Sequence, residues 1–269
     1  MALTSLPIVI IPGIQGRWEW MRPAIDALRH AHRSARRDGG SDEDVSTFSL
    51  NDEDGTGDPF EQWMAMIQAR VDRSKTGQVV LIGVSFGGLV AVRYAAKYPD
   101  RVAALVLVST PSPGHKLSAL DEGLLRRPIG RLPLFALRGI RRLAPEIRAS
   151  KDTWRARIAF TASYGWQVMR RPAAPTKMAR WVRAWQATDI ASECARVTAP
   201  THLITGEPRL DRVVPVQSTF HYLTLIPGST FSRLARTGHI GLVSRPRDFS
   251  QLVHEFLHAT DDPRARRSA

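Results

Sequence analysis

The chain is poor in several things, and each shortage narrows what it can be. A single cysteine, Cys194, leaves no internal disulfide to be made, so the fold rests on its core, as suits a reducing compartment. Cys194 has no oxyanion-type motif beside it and is expected only to pack. No run approaches the roughly 18–20 consecutive apolar residues that cross a bilayer. The apolar start, Leu6 to Ile11, has no lysine or arginine before it, and Arg17 is the first positive charge. A secretory signal needs a basic start and a small-residue cleavage site, so this run is expected to be a buried strand and the location cytoplasmic. What is present is ordinary: 43% hydrophobic and 23% charged residues over 269 positions, which suits one sizeable core and excludes a disordered or fibrous chain.

Acidic residues are too few to balance the basic ones, and the imbalance is local. From Ser112 to Ala195 there are 13 arginines and 3 lysines against 6 carboxylates, so this segment carries +10 of the chain's +13. A field of that sign favours anionic substrates or anionic surfaces. A solvated arginine-rich face is the plainer reading, because lysine is scarce and arginine dominates throughout. No specific nucleic-acid partner is expected.

Local patterns order the rest. Ile8–Ile11 is a β-branched run stopped by Pro12-Gly13, a strand entering a turn. Trp20 to Ala31 has helical spacing, Arg33 to Asp44 reads as loop, and Val45 to Leu50 as a second strand. A helix is expected from Phe60 to Val71. Gln78 to Gly83 is a clear strand, followed by a helix from Phe86 to Lys97 and a strand from Val102 to Ser109. Strand, helix and strand at this spacing make a βαβ unit and hence a parallel sheet. Beyond Pro111 the chain is proline-studded and basic, with short amphipathic patterns such as Leu134-Leu137-Ile140 and Trp181-Val182-Trp185. Core character resumes with a strand at Thr201–Thr205, another near Phe231–Leu234 and a helix from Pro246 to His258. The expected organisation is a core of residues 1–111 and 196–260, a helical cap of 112–195, and a disordered tail of 261–269.

Gly83-Val84-Ser85-Phe86-Gly87 has the form G-x-S-x-G between a strand and a helix, the setting of a nucleophile elbow. The serine of such a turn adopts an unfavourable backbone conformation, so its neighbours two positions away must lack side chains. A serine hydroxyl needs a base, and the base needs an acid to orient it. Of the eight histidines, His239 stands apart, in the Gly-flanked loop Thr237-Gly238-His239-Ile240-Gly241 before the last helix. His254 and His258 form an i, i+4 pair with no nearby carboxylate but Glu255, and a surface or packing role is expected. His30 and His32, at a helix end, are expected in solvent, and His202 packed in a strand. For the acid, Asp211 lies in a loop after the Thr201–Thr205 strand, with Glu207 as its rival. The oxyanion needs two backbone N–H donors. Phe86 supplies one, and the turn Pro12-Gly13-Ile14-Gln15-Gly16 the other, from Ile14 or, alternatively, Gln15.

These landmarks, with Gly55-x-Gly57 and Asp211-x-x-Val214-Pro215, give the chain a resemblance to the α/β-hydrolase superfamily, in its cap-bearing branch of bacterial serine esterases and related hydrolases. The resemblance runs from Ile8 to about Leu257. It implies an α/β-hydrolase fold with a mostly parallel sheet of about six strands, the family's usual first two being absent, and a helical cap insertion. Pro12 replaces the histidine that usually begins the oxyanion turn. A serine nucleophile argues against haloalkane dehalogenase or epoxide hydrolase chemistry, whose members use Asp there.

The resulting expectation is a serine hydrolase of a carboxylic ester or related acyl bond, with Ser85, Asp211 and His239 catalytic, Gly83 and Gly87 shaping the elbow, and no metal or organic cofactor. Gln15, Trp154, Trp166, Trp181 and Trp185 are candidates to line a pocket for a small acyl substrate. Two other uses stay open: the same residues applied to C–C hydrolysis, perhydrolysis or acyl transfer, and a hydrolase-fold ligand-binding protein with little turnover.

Overall fold

In the computed structural model, residues 2–35, 44–114, 132–170 and 174–261 are described. Six strands form one sheet in the order β2-β1-β3-β4-β5-β6, with β1 Ile8–Ile11, β2 Val45–Thr47, β3 Val79–Val84, β4 Val102–Val108, β5 Thr201–Thr205 and β6 Thr230–Arg233. Every pairing is parallel. The helices are α1 Arg22–Ala35, α2 Pro59–Val71, α3 Phe86–Lys97, α4 Leu132–Ser150, α5 Trp154–Arg170, α6 Pro175–Gln186, α7 Ile190–Cys194, α8 Val216–Phe220, α9 Tyr222–Leu225, α10 Gly241–Ser244 and α11 Pro246–Asp261.

The strands read as continuous apolar runs because both faces of the sheet are covered. Side chains alternate across it. Val9, Ile11, Leu81, Leu105, Leu107 and Leu203 face one layer with α2, α3, α6 and α7. Ile8, Ile10, Val80, Ile82, Val84, Val106 and Ile204 face the other, against α1 and α11. Local chemistry sets the helix ends: Asp58 accepts the Phe60 N–H at 2.9 Å with Pro59 in the first turn of α2, a side-chain N-cap joined to a preset φ. From β1 the chain passes to β2 on one side and then to β3 on the other. The loops leaving β1 and β3 therefore part at a switch point, where open parallel sheets form their binding crevices.

Several expectations need adjustment. The second strand stops at Thr47, and Leu50–Asp52 is a 3-10 turn, because the Ser49 hydroxyl donates to Gly16 O at 2.7 Å and bends the chain there. Glu19–Met21 is also a 3-10 turn, and α1 begins at Arg22, then runs through Arg33–Ala35, which the pattern gave to a loop. The final helix reaches Asp261, whose carboxylate accepts the Leu3 N–H at 2.8 Å, so this residue leaves the tail. Residues 262–269, His115 and the side chains of Leu134, Leu137 and Ile140 lie outside what is described. Among the described residues, no helix is long and apolar enough to cross a membrane.

Candidate active site

Ser85, Asp211 and His239 come together beyond the C-terminal ends of β3, β5 and β6. Ser85 sits between β3 and α3 at φ 52° and ψ −123°, a region that L residues enter at a cost of about 1–3 kcal/mol. Its N–H donates to Val108 O at 2.7 Å, and its carbonyl accepts the Gly88 N–H at 2.9 Å, so neighbouring backbone over-determines the turn. A Cβ on Gly87 would fall 2.5 Å from the Ile11 and Pro12 carbonyl oxygens. Only glycine allows the elbow to lie this close to the end of β1.

The imidazole of His239 stands between the other two side chains. Nε2 is 3.2 Å from Ser85 Oγ, and Nδ1 is 3.4 Å from Asp211 Oδ2. With Asp211 ionised, Nδ1 carries the proton and donates to it, leaving Nε2 to accept from the serine hydroxyl. Asp211 Oδ1 accepts the N–H groups of Val213 and Val214 at 3.1 and 3.0 Å. Burial raises the Asp211 acid, but His239 and these two amides outweigh it and hold the carboxyl below its ordinary value. Burial also works against a charged His239. Asp211, with Glu146 behind it, prevails and lifts the imidazole above the ordinary histidine value, while Arg142 acts in the opposite sense. Glu207, the rival acid, is used elsewhere: its Oε1 accepts the Arg236 N–H at 2.6 Å.

The turn after β1 flanks the elbow. Gly16 N–H closes it on Gly13 O at 2.8 Å, and a Cβ on Gly13 would lie 3.3 Å from Ser85 Cβ. Ile14 packs against the core at the edge of this turn, and the carbonyl of Gln15 accepts from Asn51 Nδ2 at 3.2 Å. Phe86, the first residue of α3, buries its ring among Phe60, Trp63 and Trp185.

The four tryptophans offered as pocket lining divide. Trp181 is fully buried edge-on to Trp63, and Trp185 meets Phe86 edge-on while its Nε1–H donates to Pro113 O at 3.1 Å. Trp185 thus stands directly against the residue after Ser85. Trp154 and Trp166 instead stand in solvent on α5, 64% and 55% exposed, and the expectation that they line a pocket gives way to that position.

Other histidines behave as their surroundings dictate. His32 is buried rather than solvated, 6.1 Å between ring centroids from His254, because α11 packs over the end of α1. His254 lies 6.4 Å from His258, and among the described residues no group of three or more His, Cys, Asp or Glu is arranged to hold a metal. His202 stacks on Phe256, and burial pushes its pKa down to about 4. Cys194 is buried with its thiol pushed up to about 12, by burial and then by Glu193, which fits a packing role.

Two carboxylates near the site escaped the pattern. Glu53 has a fully buried side chain and joins the loop after β2 to α6. It pairs with Arg180 and with Lys177 Nζ at 3.3 Å, and accepts from Trp181 Nε1 at 3.3 Å and from the Gly55 N–H at 2.8 Å. Burial opposes its charge, but these donors, Arg180 first, hold its pKa below the ordinary value. In sequence it belongs to an acidic run, Asn51-Asp52-Glu53-Asp54, that reads as solvated. Glu146, on α4, is buried against the histidine loop, its Oε2 accepting the Ile240 N–H at 3.0 Å. It is one acid in an arginine-rich helix, and nothing local marks it.

Comparison with known proteins gives this architecture a family. The family described as alpha/beta hydrolase fold matches residues 7–246, and the chain belongs to it. Among curated relatives, a 2-hydroxy-6-oxo-2,4-heptadienoate hydrolase of Pseudomonas putida is 27% identical over 75% of this chain and 71% of its own. A pimeloyl-[acyl-carrier protein] methyl ester esterase of Photobacterium profundum is 27% identical over 89% of both chains. Among solved structures, MenH from S. aureus superposes with a TM-score of 0.67 at 22% identity, covering 96% of this chain and 95% of that one.

Proposed function

We propose that the protein hydrolyses a carboxylic ester or related acyl bond through a covalent acyl-serine, with Ser85, His239 and Asp211 as the catalytic residues. The observation that carries this reading is the hydrogen-bonded series from Ser85 Oγ through His239 to Asp211, mounted on the elbow. Ser85 Oγ attacks the carbonyl carbon while His239 Nε2 takes its proton. The tetrahedral oxyanion is held by backbone N–H groups of Phe86 and Ile14, each donor contributing about 3–4 kcal/mol in such sites. Collapse expels the alcohol, which receives the proton from His239 Nε2. Water then repeats the sequence on the acyl-serine and releases the acid. Asp211 keeps the imidazole oriented and stabilises its charged form. The helices between β4 and β5 serve as a cap over this site, and their net positive charge favours anionic substrates.

A second reading has its own support. The Pseudomonas putida relative is named as a hydrolase of 2-hydroxy-6-oxo-2,4-heptadienoate, which puts C–C bond cleavage beside ester cleavage for the same three residues.

Fluorophosphonate labelling of wild type beside Ser85→Ala and His239→Ala tests the core of the proposal. Labelling should vanish in the first variant and collapse in the second, after which p-nitrophenyl esters of increasing chain length size the pocket. Folded wild-type protein that stays unlabelled would sink the hydrolase reading and favour a ligand-binding protein. Because the base must be neutral and His239 is held above the ordinary histidine value, labelling should rise with pH through that raised pKa. A midpoint at or below the ordinary value would contradict the electrostatics.

A further inference from the structure

We infer that Glu146 is a positioning residue for His239, a carboxylate on an inserted helix that grips the histidine loop by its backbone and sets the charge behind the imidazole. Its catalytic meaning rests on the hydrolase reading above, while its geometry stands independently. A glutamate on an arginine-rich helix ordinarily points into water. This one is wholly buried, its Oε2 accepting the Ile240 N–H at 3.0 Å with the Gly238 amide also drawn to the carboxylate. Those two residues flank His239, so one side chain fixes the peptides on both sides of the base. The other oxygen, Oε1, is buried without a hydrogen-bond partner among the described residues, an arrangement that costs free energy in a purely structural contact.

The rest of the α4 end is docked on the same loop. Arg236 Nε–H donates to Ala149 O at 2.9 Å and its guanidinium pairs with Asp152, while Lys151 Nζ donates to Ser244 O at 2.7 Å. These links tie residues 146–152 of the insertion to residues 236–244 of the core, so a displacement of α4 is a displacement of the histidine loop.

Among the described residues, the charged and titratable groups that act on Glu146, or feel it, are His239 and Asp211 from the core loops, Arg142 on α4, which acts on the same imidazole, and Tyr164 on α5. Burial raises the Glu146 acid to about 7, against the pull of the Ile240 and Gly238 amides and of His239. The sign of the coupling follows. While Glu146 is ionised it favours the imidazolium, and once it is protonated His239 releases its proton more readily. The imidazole therefore titrates over a wider pH range than a lone group, because its own affinity changes as Glu146 fills.

The test is the NMR titration of the His239 imidazole, assigned by its loss in His239→Ala, in wild type and Glu146→Gln, with fluorophosphonate labelling rates measured alongside. Glutamine keeps an acceptor for Ile240 and removes the charge. The expected result is a His239 midpoint about one pH unit lower in Glu146→Gln, sharpened to a single-proton curve, with the acid limb of labelling moving by the same amount. Superimposed titrations in two folded proteins would overturn the inference. If Glu146→Gln fails to fold, the wild-type curve decides alone: a broadened titration supports the coupling and a simple one-proton curve refutes it. A shifted His239 in a protein that never labels would sink the hydrolase reading and leave this one standing.

Discussion

The sheet and helix α5 solve the problem of solvent in opposite ways. In β1, β3 and β4 there is no charged side chain, and every residue but Ala103 is buried. Helix α5 has three arginines, no acid, and three of the four large apolar side chains that stand exposed among the described residues: Trp154, Ile158 and Trp166. Between these extremes lie α6 and α7. Trp181 and Trp185 of α6 are threaded into the same aromatic cluster as Trp63 and Phe86, and α7 is tied to α3 through the Arg93–Glu193 pair at 3.2 Å. The stretch between β4 and β5 thus runs from α5, which faces water, to α6 and α7, which complete the core. Two buried carboxylates join it to the rest of the chain: Glu53, from the loop after β2, holds α6, and Glu146 of α4 holds the histidine loop.

That contrast can be broken by experiment, beginning with the largest effect. Ser85→Ala should lower kcat by about 10⁵–10⁶-fold with no loss of stability. Ser85→Gly should be equally inactive yet more stable by about 1 kcal/mol in chemical denaturation, because it relieves a positive φ. A Ser85→Gly protein less stable than wild type would contradict the strain. Asp211→Asn should cost about 10⁴-fold in kcat, since the imidazole loses its orienting acceptor. Steady-state kinetics with KM little changed is the expected pattern. Glu53→Ala leaves the Lys177 and Arg180 cations facing each other over an emptied site and should destabilise by about 2–3 kcal/mol. In calorimetry, one shifted transition would mean that α6 unfolds with the sheet, whereas a separate early transition would mean that the insertion is an independent unit. The smallest effect is reserved for the exposed stripe: Trp154→Ser with Trp166→Ser should move Tm by no more than about 2 °C, as these rings leave little water-excluded contact behind.

The sequence was most legible where structure is made by neighbours. Helix α3 begins and ends at the expected residues, Phe86 and Lys97, because the apolar strand, the Gly-x-Ser-x-Gly turn and Tyr98-Pro99 all lie within one local stretch. His239 stands out in the sequence for the same reason, set between two glycines in a loop after the last strand, and the structure puts it 3.2 Å from Ser85 Oγ. Asp211 and Glu207 both sit after β5, and spacing alone does not tell them apart. What separates them is that Glu207 is committed to the Arg236 N–H, a contact 29 positions away that no spacing reveals. Glu146 and Ile240 are 94 positions apart, and a lone glutamate among arginines gives no hint of burial. His32 departs from the solvated position its helix end suggests because the surface that covers it, α11, comes from the other end of the chain.

The solitary thiol has a practical side. Cys194 is buried and its ionisation is pushed up to about 12, so it should ignore maleimides at neutral pH. A cysteine introduced at exposed Ala159 on α5 would then react alone, without first stripping the native one. A spin label or fluorophore placed there would report on the helices between β4 and β5 against a silent background, in an otherwise unaltered protein.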